Sequence, residues 1–121
     1  MASTPEAKVK ADVKKLLDEL GIYHFSPVQN GMGASGVFDI VCCANGFFVG
    51  IECKKDPKTA PTDLQTQNAE RAQECRGVVF LANGANMKEL KALLTRIKEY
   101  THGTVWDSFW PFERPAPFDK W

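Results

Sequence analysis

Val37-Phe38-Asp39-Ile40-Val41-Cys42-Cys43-Ala44-Asn45-Gly46-Phe47-Phe48-Val49-Gly50-Ile51-Glu52-Cys53-Lys54 sets two apolar runs on either side of an Asn-Gly pair. Asn-Gly in that setting is the strongest short-range signal for a β-hairpin, because both central positions of the tight turn require φ > 0. A two-residue loop pairs Ala44 with Phe47, and counting back along both strands places Asp39 opposite Glu52. Side chains alternate with period two, so Gly50, Glu52 and Lys54 share one face. Like charges directly opposite each other destabilise a sheet. A divalent cation held between them reverses the sign of that interaction, and hard carboxylate oxygens suit magnesium or manganese. Gly50 weakens its strand, and we read it as room for an approach to the sheet on that face. The competing structural reading is an Asp39–Lys54 or Glu52–Lys54 ion pair at a sheet edge, where inward charges deter edge-to-edge pairing.

The chain has 121 residues, enough for one domain with its own core. Hydrophobic residues make up 44% and charged residues 25%, which argues against disorder. No apolar run is long enough to span a membrane and the N-terminus lacks a signal-peptide pattern, so a cytoplasmic location is expected. Fifteen basic and fifteen acidic residues cancel, so any nucleic-acid contact must come from a local patch rather than bulk charge. Two basic groups qualify: Lys8, Lys10, Lys14 and Lys15 in the first helix, and Lys54, Lys55 and Lys58 after the hairpin. Of these, Lys8, Lys15, Lys55 and Lys58 are the candidate contacts to a nucleic-acid backbone; the bland alternative is a solvated helix face and a polar loop. Cys42, Cys43, Cys53 and Cys75 lack the C-x-x-C spacing of zinc sites and read as buried free thiols in a reducing compartment. His24 and His102 are isolated and read as structural or surface residues.

Ser3-Thr4-Pro5-Glu6 reads as a helix start, followed by Val9, Val13, Leu16, Leu17 and Leu20 at helical spacing, with Gly21 as the stop. Glu6 lies on the apolar stripe, either as a partner of the helix dipole or turned inward towards a metal. Ile22 to Phe25 is a short strand, and the Gly-rich stretch from Ser26 to Gly36 is a mobile loop leading to Asp39, in a position to close over a substrate. Thr62 and Asp63 cap a second helix that runs to about Cys75, with Gly77 ending it. Val78-Val79-Phe80-Leu81 is a strand buried on both faces. The order strand, helix, strand implies a right-handed crossover. Asn86 caps a third helix through Met87, Leu90, Leu93, Leu94 and Ile97. From Thr101 onward six large aromatics alternate with prolines. This tail, residues 101–121, is expected to pack on the core or on a second subunit, with a base-stacking surface as the alternative.

Hydrolysis of a phosphodiester needs a nucleophilic water, charge neutralisation on the phosphate and help for the leaving oxygen. A carboxylate-bound metal acidifies its water and withdraws charge from the phosphoryl oxygens. Asp39 and Glu52 are the expected primary ligands and the Cys53 backbone carbonyl another, with Glu6 completing the shell directly or through water. Lys54 would orient the water or neutralise the pentavalent state. Gln65, opening the second helix, would position Lys54 or the phosphate.

These residues resemble the core of the PD-(D/E)XK nuclease superfamily, and more closely its VRR-NUC branch of phage and bacterial proteins. That branch has a glutamate on a first helix, a Gly-x-Pro-Asp strand, Glu-x-Lys, and a glutamine opening the next helix. Glu6, Asp39, Glu52, Lys54 and Gln65 fall in that order over roughly the first 82 residues, with Gln67 as a second match to the glutamine. The family's proline is Phe38 here; it shapes the approach to the strand and does no chemistry, so no loss of activity is expected. The resemblance implies an α/β (α+β) fold with a mixed central sheet flanked by helices, the restriction-endonuclease-like αβββαβ core, over a domain of residues 1–100. It also implies a magnesium- or manganese-dependent endonuclease acting on DNA, selective for branched, junction or flap structures, working as a homodimer. The alternative is a DNA-binding or assembly factor that keeps the nuclease fold without turnover; a weaker third reading is a module whose aromatic tail docks a partner.

Overall fold

The computed structural model describes residues 4–28 and 36–100. Most of the Gly-rich loop, the aromatic tail and His102 lie outside the described residues. Helix α1 (Pro5–Glu19) begins where the sequence places it: the Thr4 hydroxyl accepts the Ala7 N–H at 3.1 Å, a cap worth about 1 kcal/mol. It ends in paired reverse bonds, Gly21 N–H to the Asp18 carbonyl and Ile22 N–H to the Leu17 carbonyl, with Gly21 at φ +69°. That left-handed stop is what a glycine allows without a Cβ penalty. Strand β1 (Tyr23–Phe25) follows, and His24 is tied to Asp18 at 2.7 Å, a structural role.

The hairpin forms as read. Strands β2 (Ile40–Ala44) and β3 (Phe47–Cys53) are antiparallel with Ala44 against Phe47 and Ile40 against Ile51. Asn45 and Gly46 take φ +51° and +83°, the two positive values of a type I′ turn. Helix α2 (Asp63–Glu74) opens on a reciprocal box: Thr62 Oγ1 accepts the Gln65 N–H while Gln65 Oε1 accepts the Thr62 N–H. At its far end the left-handed residue is Arg76, φ +69°, not Gly77. Gly77 sits one position later, where a Cβ would lie 2.9 Å from the Ala72 carbonyl oxygen. Strand β4 (Val78–Ala82) pairs parallel with β3, and helix α3 (Met87–Glu99) closes the described chain. Asn86 precedes α3 without capping it; its side chain instead binds the Leu81 carbonyl and the Asn83 N–H, bracing the turn after β4.

The result is a mixed α+β fold with a four-stranded sheet in the order β1-β2-β3-β4. One face carries Ile40, Cys42, Val49, Ile51, Cys53 and Phe80 against the apolar stripes of α1 and α3. The other carries Val79 and Leu81, covered by Phe38 and by Ala69 and Ala72 of α2. Cys42 and Cys53 are buried thiols, but Cys43 and Cys75 are exposed; the apolar neighbours of Cys43 in sequence concealed its position on the less covered face. No helix among the described residues is long and apolar enough to cross a membrane.

The room expected at Gly50 is filled. A Cβ there would lie 2.5 Å from the Phe38 ring, so the glycine exists to admit Phe38, not an external molecule. We expect Gly50→Ala to cost about 1–3 kcal/mol, the usual penalty for overpacking. In a Phe38→Ala background the same change should cost at least about 1 kcal/mol less. Urea unfolding of the four-member cycle measures both, and an unchanged penalty would show that the ring contact is not the cause.

Candidate metal centre

Asp39 and Glu52 stand at one end of the two central strands. The β2–β3 register ends at Ile40 against Ile51, so one further step brings Asp39 level with Glu52, as the turn count requires. Neither β2 nor β3 lies at the sheet edge, so the expectation that these charges guard an exposed edge does not hold.

The Asp39 side chain is 13% exposed. Its Oδ2 accepts the Cys53 N–H at 2.8 Å and its Oδ1 lies 3.6 Å from Lys10 Nζ. Glu52 is 1% exposed. Its Oε2 lies 3.7 Å from Lys54 Nζ, and among the described residues its buried Oε1 has no hydrogen-bond partner. A bare carboxylate oxygen in a protein interior is costly. Burial, then the hydrogen bond and charge of Asp39, push the Glu52 carboxyl up to about 8, outweighing Lys54 and the Asp39 backbone N–H. At neutral pH and without an ion, the Glu52 carboxyl is therefore held largely in its protonated form. Phe38 and α2 supply the dry wall, because they cover the sheet face that Glu52 shares with Gly50.

Lys10 was not among the expected site residues, yet it reaches both Asp39 and Glu6, each at 3.6 Å. Partial burial opposes its charge, but Asp39 and Glu6 prevail and hold the ammonium above the usual lysine range. The signal was present in the sequence as the i, i+4 spacing from Glu6; its contact with Asp39 depends on how α1 crosses the sheet. Glu6 is thus brought to the site through Lys10. Cys53 contributes its N–H to Asp39, while burial and the neighbouring Asp39 and Glu52 push its thiol up, leaving it inert.

Lys54 is buried beside Glu52, as the strand alternation expects. Gln65 commits its carbonyl oxygen to the helix cap at Thr62 rather than to Lys54. The start of α2 does lie close to the segment leading into β2: a Cβ on Gly36 would sit 2.7 Å from the Leu64 carbonyl. Lys55 and Lys58 are exposed on the turn beyond β3, which Asp56 organises by accepting the N–H groups of Lys58 and Thr59. Lys8 pairs with Asp12 on the helix surface. Two residues before Lys10, it lies roughly 200° around α1 from the carboxylates. Lys15 is exposed further along the same helix.

Two carboxylates with the remaining positions left to water and phosphate is the way magnesium is commonly held. Among the described residues no three His, Cys, Asp or Glu side chains form a ready-made cage, and Asp39 with Glu52 is the pair that fits this arrangement. No family model, curated protein or solved structure matches the chain.

A carboxyl raised from 4.5 to about 8 by folding binds more protons in the native than in the unfolded state between those values. Metal-free stability is therefore greatest below about pH 4.5 as far as Glu52 is concerned, and falls as pH rises towards 8. Urea unfolding at intervals from pH 5 to 9 in chelator should show a loss on the order of a few kcal/mol. Glu52→Gln should flatten that slope; an equal slope in the variant would locate the titration elsewhere.

Proposed function

We propose that the chain is a divalent-metal-dependent endonuclease that hydrolyses phosphodiester bonds in DNA, with magnesium or manganese bound at Asp39 and Glu52. The observation that carries this reading is the unpartnered, buried Oε1 of Glu52 beside Asp39, at the end of two central strands. Nothing in sheet packing calls for an acid there, whereas a cation satisfies both carboxylates. The element order α, β, β, β, α, β, with β4 parallel to β3, agrees with the restriction-endonuclease-like core implied by the sequence resemblance.

Asp39 is held in place by the Cys53 N–H, so its free lone pairs are aimed without further ordering. Asp39 and Glu52 would hold the ion, Glu52 in its carboxylate form, and the ion would supply a more acidic water and charge withdrawal from the phosphoryl oxygens. Lys54, buried beside Glu52, meets the negative charge that develops on the phosphorus oxygens. Lys55 and Lys58 extend the positive surface outward from that end of β3 and meet the flanking phosphates. Branched or flapped DNA as substrate, and a homodimer that presents two such centres, follow from the family resemblance.

The test is a panel of end-labelled single-stranded, duplex, flap and four-way DNAs incubated with magnesium, manganese or chelator. Cleavage should require the ion, and Asp39→Asn and Lys54→Ala should each lose at least about 100-fold in rate, the scale of removing one transition-state charge contact, with circular dichroism showing the fold retained. Salt-sensitive DNA binding without cutting under any ion would identify an assembly factor instead. Manganese should also raise the melting temperature, by more at pH 8 than at pH 6 because uptake requires the carboxylate form of Glu52, and Glu52→Gln should lose most of that rise.

A further inference from the structure

We propose that Lys10 is a built-in cation filling the position between Glu6 and Asp39, so that the centre accepts one divalent ion rather than two. The inference rests on the reading of Asp39 and Glu52 as metal ligands.

Paired-metal centres hold their ions about 3.5–4 Å apart, and a carboxylate that bridges them commits an oxygen to each. Among the described residues Asp39 is the carboxylate placed to bridge, because it stands level with Glu52 by strand register and shares Lys10 with Glu6. Its Oδ2 is taken by the Cys53 N–H at 2.8 Å, and its Oδ1 faces Lys10 Nζ at 3.6 Å. Lys10 Nζ is also 3.6 Å from Glu6 Oε2. The ammonium therefore stands where an ion shared by Glu6 and Asp39 would stand. It is tethered to the same helix as Glu6 by i, i+4 spacing, so its local concentration there does not depend on the solution. A lysine head is a compact point charge with three donors, suited to stand between two carboxylates. The other side of the pair is different: Glu52 Oε1 has no partner, and Lys54 lies on Oε2 at 3.7 Å. The open coordination is thus on the Glu52 side, at Glu52 Oε1 and the lone pair that Asp39 Oδ2 keeps beside its bond from the Cys53 N–H. On this assignment Glu6 is a positioning residue that holds Lys10, not a metal ligand.

The experiment is a Mn2+ titration of the full chain, with free ion followed by electron paramagnetic resonance. The wild-type chain should take up one ion, and Lys10→Arg, which keeps the charge, should also take up one. Lys10→Met, which keeps the length of the side chain and its helix preference, should take up two. Adding Glu6→Gln to Lys10→Met should return the count to one, because the second ion loses its outer ligand; a melting curve of each variant checks its fold. Two ions on the wild type, one on Lys10→Met, or two on the double variant would each overturn the role of Lys10 while leaving the metal reading in place. No ion on the wild-type chain would instead remove the metal reading itself.

Discussion

Glu52 is an acid with 1% exposure, on a central strand, with one oxygen that nothing among the described residues satisfies. The rest of the site follows from that constraint. Burying a charge is expensive unless it is paired and hydrogen-bonded, and Lys54 at 3.7 Å offers attraction without a short hydrogen bond. The remaining way to lower the cost is to keep the acid protonated, which is what its raised pKa describes. A well-packed apolar residue at position 52 would serve the sheet at least as well as this partly satisfied pair. Departures of this kind from local consistency concentrate at functional sites.

The charges at this end of the sheet run as lysine, acid, acid, lysine: Lys10, Asp39, Glu52, Lys54. With Glu52 protonated, the row carries one net positive charge. With both acids ionised it is neutral, and the repulsion between the two carboxylates at its centre is unrelieved. On the proposed function, an ion taken up by Asp39 and Glu52 would replace that proton with two positive charges and relieve the repulsion.

Whatever depended on a few adjacent residues was legible in the sequence. The Asn45-Gly46 turn, the resulting register, the Thr4 and Thr62 caps and the Gly21 stop are all decided within about five residues of chain, by φ preferences and side-chain-to-backbone bonds. What required knowing which elements lie beside each other was not. Lys10 meets Asp39 because α1 packs against the sheet where its lysine reaches the residue leading into β2, a relation that no local pattern encodes. The edge reading of the Glu52–Lys54 pair failed because β1 and β4 flank the hairpin on both sides, and that order is a property of the assembled sheet. Asn86 looked like a cap for α3, but the nearer unsatisfied groups at the end of β4 claimed its amide. Arg76, not Gly77, took the left-handed position, because the helix ended one residue earlier than the glycine suggested and Gly77 was needed for close approach to Ala72.

Phe38 and Gly50 are best understood as one feature with consequences for both fold and chemistry. The family that the sequence resembles places a proline before the aspartate, and a proline has too little reach to cover the neighbouring strand. Phe38 lays its ring where a Cβ on residue 50 would otherwise be, and joins Ala69 and Val79 in the smaller core under α2. The ring thereby fastens α2 to the sheet and excludes water from the face that carries Glu52 two residues along. The glycine that looked like an opening for substrate is therefore part of what keeps the acid dry. Phe38 closes the face at Gly50 to an approaching molecule. The exposed Lys55 and Lys58 follow β3 out of the core at the end beyond Glu52, so on the proposed function a phosphate would meet the carboxylates from that end of the sheet.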